Sequence, residues 1–204
     1  MESNAVINGV TLIGKVIGGP VFDHKIYGEA FYMIVLGIYR NSGYEDRIRL
    51  IVSERILNGK SPKDGEIIKA EGQIRTYNRE IYGKSKLEVI VFVKTLEYKK
   101  GDSLYKNDVM FEGYLCKPPN KRTSPLGREI CDLMIAVNRR YNKSDYIPAI
   151  AWGRNARWSG SLNMGDKVRI GGRIQSRDYR KNTSEGDIIT KTAYEVSIVT
   201  IDLA

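Results

Sequence analysis

Three runs decide the fold: Leu133-Met-Ile-Ala-Val-Asn-Arg-Arg140, Asp145-Tyr-Ile-Pro-Ala-Ile-Ala-Trp152 and Lys167-Val-Arg-Ile-Gly-Gly-Arg-Ile-Gln-Ser-Arg-Asp-Tyr179. Read with a period of two, each has one apolar face and one face of cations or rings. In the third run Val168, Ile170, Gly172 and Ile174 share a side. Lys167, Arg169, Arg173, Gln175, Arg177 and Tyr179 share the other. In the second, Ile147, Ala149 and Ala151 oppose Tyr146, Pro148, Ile150 and Trp152. A sheet with one face in a core and the other carrying Arg and flat rings has the chemistry that an unpaired nucleic-acid strand requires. Guanidinium groups neutralise its phosphates, and rings stack on its bases.

The same pattern stands upstream. Gly65–Ile74 lies over Gly165–Ile174 and Met33–Arg40 over Leu133–Arg140, both at an offset of 100. Gly14 lies over Gly113 and Asp46–Ser53 over Asp145–Trp152, both at an offset of 99. Asn8–Gly14 and Asn107–Gly113 open the two copies. Four blocks in one order predict a tandem duplication. The domains expected are residues 1–97, a polar linker at 98–106, and residues 107–204.

Within the first copy the pattern predicts strands at Val6–Val16, Phe31–Tyr39, Asp46–Ser53, Glu66–Tyr77 and Lys86–Leu96. In the second it predicts Val109–Cys116, Ile130–Arg140, Asp145–Trp152, Lys167–Tyr179 and Ile188–Ile201; a short helix is expected after the third strand of each copy, at Glu54–Asn58 in the first and Arg154–Leu162 in the second. Gly72 and Gly172 fall inside the long fourth strands, where glycine marks a bulge or bend. Five strands with a helix between the third and fourth predict an all-β chain of two tandem OB-fold Greek-key barrels.

The net charge of +9 points to an acidic partner. Residues 1–104 carry 16 cationic and 13 acidic side chains and residues 105–204 carry 17 and 11, so the second copy holds the larger excess. No apolar run approaches the ~20 residues of a membrane span. The start, Met1-Glu-Ser-Asn4, lacks the pattern of a signal peptide. Cys116 and Cys131 form no CxxC pair and are expected as small buried hydrophobes. The expectation is a cytoplasmic, nucleoid-associated protein without a membrane partner.

The third strand's outward side separates the copies. The second offers Tyr146 and Trp152, about 20 Å apart at ~3.3 Å per residue, a spacing that suits two separate stacked bases. The first has Arg47 and Ser53 there, with Arg49 in place of Pro148; Tyr39, Tyr77 and Tyr82 are its remaining rings. Between the second copy's strands two and three, Asn138–Ser144 concentrates Arg139, Arg140, Tyr141 and Lys143. The hairpin Arg177–Asp187 is basic at its root, and the loop Lys117–Gly127 adds Lys121 and Arg122. Trp158, in the helix slot, reads as core or interface. The lone His24 has no second ligand nearby, so no metal site is expected.

The second copy, residues 107–202, resembles the DNA-binding domain of bacterial single-stranded DNA-binding proteins. The matching residues are Leu133–Tyr141, Asp145–Gly153, Gly165-Asp166, Gly172-Arg-Ile-Gln-Ser-Arg-Asp-Tyr179 and Tyr194-Glu-Val196. The Ala-Val-Asn-Arg-Arg and Gly-Arg-Ile-Gln-Ser-Arg blocks are specific when found in order at these spacings. The resemblance implies stacking by Tyr141, Tyr146, Trp152 and Tyr179, and phosphate contacts by Arg139, Arg140, Arg173 and Arg177; Arg122 joins the nucleic-acid-binding set from its loop. It implies four-domain assemblies, which a two-domain chain reaches as a homodimer. Family members usually end in a flexible tail with an acidic tip that recruits replication and repair proteins, whereas this sequence ends at Asp202-Leu-Ala204.

The function expected is sequence-independent binding and protection of single-stranded DNA in replication, recombination or repair, without cofactor or catalysis. The alternatives are an RNA-binding OB protein, since 2′-hydroxyl contacts alone separate the two ligands, and a dimeric protein-interaction module of a replication or recombination complex. An enzyme is not expected: no nucleophile pattern, phosphate loop or metal-ligand pair is present.

Overall fold

A computed structural model describes residues 7–81, 84–101, 104–182 and 188–204. The first barrel is built from β1 (Asn8–Ile26), β2 (Glu29–Tyr39), β3 (Glu45–Ser53), α1 (Glu54–Leu57), β4 (Ile67–Ile81) and β5 (Lys84–Lys99). The second is built from β6 (Lys106–Leu115), β7 (Asn120–Thr123), β8 (Glu129–Asn138), β9 (Ser144–Trp152), α2 (Gly153–Ser159), β10 (Lys167–Asn182) and β11 (Ile188–Leu203). Each barrel closes the same way. The strands run β2-β3-β5-β4-β1 with β1 returning to β2, and β8-β9-β11-β10-β6 with β6 returning to β8. The chain is therefore all-β with tandem OB-fold barrels, as its repeat predicts. No helix among the described residues is long and apolar enough to cross a membrane.

Period-two alternation produces the cores. Ile34, Leu36 and Ile38 of β2 point inward with Ile48, Leu50 and Val52 of β3. Leu133, Ile135 and Val137 of β8 point inward with Ile147, Ala149 and Ala151 of β9. These pairs correct the repeat: β2 maps on β8 at an offset of 99, not 100. The shift to 100 occurs later, by Gly72 and Gly172. At each of these glycines a bulge separates it from the preceding residue. A Cβ there would lie 2.1 Å from the Phe92 carbonyl oxygen in β5, or 2.2 Å from that of Ser197 in β11. Only glycine permits that approach.

The two barrels share one sheet. β1 and β6 pair antiparallel, with Val10 opposite Val109, Asn8 opposite Phe111 and Leu12 opposite Asn107. A local pseudo-dyad runs through that pair. Each copy's Asn locks its own fourth strand: Asn8 bonds both the N–H and C=O of Ile74, at 3.0 Å each, and Asn107 does the same at Ile174, at 2.9 and 2.7 Å.

Several local expectations are corrected. β1 extends to Ile26, well past Val16, because it continues as a hairpin with β2. β8 ends at Asn138, so Arg139 and Arg140 lie in the turn. The 117–127 loop contains β7, which pairs with β8 from Asn120 to Thr123. α2 covers Gly153–Ser159, shorter than the predicted 154–162.

Candidate nucleic-acid interface

β9 presents the ring face that its alternation predicts. Tyr146 is 49% exposed and Trp152 38% exposed on one side, while Ile147, Ala149 and Ala151 fill the core. Strand registers extend this face sideways. Arg173 of β10 pairs with Ser197 of β11, Ser197 with Ile150 of β9, and Ile150 with Asp132 of β8. A row of outward positions thus carries Arg173 level with Ile150, between Tyr146 and Trp152 and nearer the latter. Ile150 is 4% exposed, so the floor between the rings is closed.

The Asn138–Ser144 turn stands beside this face. Arg139 N–H donates to the Lys143 carbonyl at 2.7 Å, and Tyr141 and Asn142 adopt φ of 62° and 54°. That left-handed pair lifts the Tyr141 ring into solvent, 91% exposed, next to exposed Arg140. Arg139 turns the other way. Its Nε lies 3.2 Å from the Asp145 Oδ2, buried and angled short of a hydrogen bond.

Arg177 and Tyr179 lie on β10 opposite Ala193 and Lys191; Arg177 is exposed and Tyr179 half-buried. The tip of that hairpin, 183–187, and Tyr82 of the first copy lie outside the described residues. Arg122 projects from β7, but its Nε and Nη2 donate to the two oxygens of Asp132 at 2.5 and 3.0 Å. Its charge is thereby balanced on the protein. Gln175, expected on the outward face, is buried, and its amide donates to Glu195 at 2.7 Å. Trp158 is 37% exposed on α2, on the surface rather than in the core. Burial pushes the Cys131 and Cys116 thiols up.

The first barrel's β3 carries Arg47 outward and caps α1 with Ser53, whose Oγ accepts from Ile56 N–H at 3.3 Å. Arg49 pairs with Glu88 and sits over the Tyr194 ring of the second barrel, 4.4 Å from its centroid. Burial raises the Tyr194 phenol above its ordinary range. Rings do exist on this barrel's outer face, on other strands. Phe31, Ile51 and Ile90 cluster there with Met33 and Phe92, and His24 stacks on Phe31 at 4.9 Å and 7°. Of these, His24, Ile51, Ile90 and Phe92 line a cavity of about 850 Å³ together with Tyr77, Arg79 and Arg139. The signal in the sequence is the unbroken apolar run Val89–Val93, which has two apolar faces where one suffices.

The seam between the barrels is polar and follows the pseudo-dyad. Asp46 accepts from Arg40 at 2.6 and 2.7 Å and from the Ser176 N–H at 2.8 Å. Those bonds hold the Arg40 guanidinium above its usual range. Asp145 accepts from the Thr76 N–H at 2.7 Å and from Arg75 at 2.9 Å. Among the described residues no group of His, Cys, Asp or Glu could hold a metal ion.

Comparison with known proteins agrees with this geometry. Residues 106–204 match the model of the single-strand binding protein family. The single-stranded DNA-binding protein of Thermus aquaticus is 25% identical over 88% of this chain and 79% of its own. A single-stranded DNA-binding protein of Thermus thermophilus is 24% identical over the same shares. A crystal structure of the wild-type Thermus aquaticus protein superposes with a TM-score of 0.77 at 23% identity, covering 98% of this chain and 93% of that one, which shows the shared fold. The single-stranded DNA-binding protein A of Bacillus subtilis is 28% identical over 44% of this chain. Residues 106–204, with the ring face of β9 at their centre, are a domain of the single-strand binding protein family.

Proposed function

We propose that the chain binds and protects single-stranded DNA without sequence preference, serving replication, recombination or repair. One observation carries this reading: Tyr146 and Trp152 stand exposed on one face with Arg173 in the row between them. Rings reward any base and a guanidinium any phosphate, so such a face is indifferent to sequence. Tyr141, Arg140, Arg177 and Tyr179 extend the track, while Arg122 and Arg139 border it with their charges balanced. The two barrels act as the units 1–97 and 107–204. Titration with oligo(dT), competed by oligo(U) and by duplex DNA of equal length, tests the reading. Preference for oligo(dT) over both supports it; equal competition by oligo(U) favours RNA.

The chain assembles as a homodimer through the sheet face that spans the pseudo-dyad. Met110 and Val199 are 54% and 67% exposed on that face. They line a groove of roughly 720 Å³ with Val10, Val109, Gly72 and Gly172. Apolar side chains over a glycine-lined floor suit a second sheet of the same kind.

A further inference from the structure

The geometry points to Thr76, in the first barrel, as a positioning residue for the stacking ring Tyr146 in the second. The inference rests on the proposed binding role of Tyr146. Two hydrogen bonds tie the residues together across the seam. The Thr76 N–H donates to Asp145 Oδ1 at 2.7 Å, and the Tyr146 N–H donates to Thr76 Oγ1 at 2.8 Å. Side chain and backbone alternate in the two bonds, so β9 is clamped at the dipeptide Asp145-Tyr146 by one residue of β4. Thr76 is 6% exposed, and the Asp145 carboxylate has no exposed surface. Water therefore offers neither group a substitute, and a buried unpaired donor is costly.

The clamp has a twin that shows what it is for. Across the pseudo-dyad, Asp46 Oδ1 accepts from the Ser176 N–H at 2.8 Å, and the Arg47 N–H donates to Ser176 Oγ at 2.9 Å. Ser176 occupies the place of Thr76, and Arg47 that of Tyr146. A hydroxyl is present in both copies, with and without the methyl group, so the hydroxyl is the shared requirement. The residue it holds is in each case the third of the third strand and faces outward, a ring in one barrel and a cation in the other. The first barrel thus fixes the ring of the second, and the second fixes the cation of the first. A stacking ring on a restrained backbone loses less freedom on binding than one on a loose strand.

A double-mutant cycle tests this, with oligo(dT) affinity read at one salt concentration. Thr76→Val removes the hydroxyl at nearly constant shape and is expected to weaken binding about five- to tenfold, within the range for directly coupled neighbours. Thr76→Ser keeps the hydroxyl and restores wild-type affinity. In a Tyr146→Ala background, Thr76→Val changes nothing further. Ser176→Ala breaks the twin clamp, and its effect adds to that of Tyr146→Ala. Amide exchange at Tyr146 accelerates in Thr76→Val and not in Thr76→Ser. Should the valine variant not fold, Thr76→Ala runs the same cycle. Wild-type affinity in Thr76→Val, or an equal loss with and without Tyr146, overturns the inference while leaving the binding role of Tyr146 standing. Wild-type affinity in Tyr146→Ala alone overturns that role and the inference with it.

Discussion

The Asp145 carboxylate, fully buried in the seam, accepts the Thr76 N–H of the other barrel at 2.7 Å. Asp46 does the same for Ser176 at 2.8 Å. Each carboxylate also faces its own cations: Arg75 and Arg139 at Asp145, Arg40 at Asp46. Asp145→Asn removes the charge and leaves two guanidinium groups uncompensated, which is expected to cost about 3–5 kcal/mol in urea unfolding. Asp46→Asn costs a similar amount. A loss below about 1 kcal/mol from either would mean that the seam is held by its apolar contacts instead.

Salt dependence separates the cations. Each phosphate neutralised on a single strand contributes about −0.7 to the slope of log affinity against log salt. Arg140→Ala and Arg177→Ala are expected to flatten that slope, because both side chains are exposed. Arg122→Ala leaves it nearly unchanged, since Asp132 already balances that charge. Titrations at four salt concentrations distinguish these outcomes.

Gly172→Ala is a test of the barrel itself. Its Cβ would press on the Ser197 carbonyl at 2.2 Å, and neither strand can yield without breaking the β10–β11 ladder. The expected loss is at least about 1–3 kcal/mol, the usual range for overpacking. Gly127→Ala, at a loop position with φ of 75° and nothing within 4 Å, loses no contact and suffers only the strain of its backbone. Thermal unfolding of the two variants gives the order.

The dimer is tested at Met110 and Val199. Placing Asp at both is expected to convert a two-chain species to single chains in sedimentation equilibrium, because paired carboxylates would face their copies across a dry interface. Oligo(dT) affinity per barrel should remain, since the β9 ring face lies elsewhere on the barrel.

Much of the fold was legible because the sequence states it twice. Alternation marks Ile34, Leu36 and Ile38 as core, and Leu133, Ile135 and Val137 repeat the statement. The glycines at 72 and 172 announce the same bulge. The rings of β9 were legible for the same reason: Tyr146 and Trp152 oppose a plain apolar face. The seam was not legible. Thr76 meets residues 69 and 70 positions away, and Asp46 meets one 130 away. No local period encodes such contacts, so Arg139 reads as a phosphate ligand although it turns to Asp145. Gln175 reads as outward because alternation is blind to its amide partner Glu195. The outer cluster of Phe31, Ile51 and Phe92 was hidden for a different reason: a strand apolar on both faces shows no period at all.

The most direct test of the binding face is tryptophan fluorescence during titration with oligo(dT), at low and high salt. Trp152 and Trp158 are the two indoles of the chain. Strong quenching that Trp152→Phe abolishes, with binding retained, is the predicted result and places a base against Trp152. Quenching that survives in Trp152→Phe, or no binding even at low salt, would contradict the assignment of the β9 face as the nucleic-acid interface.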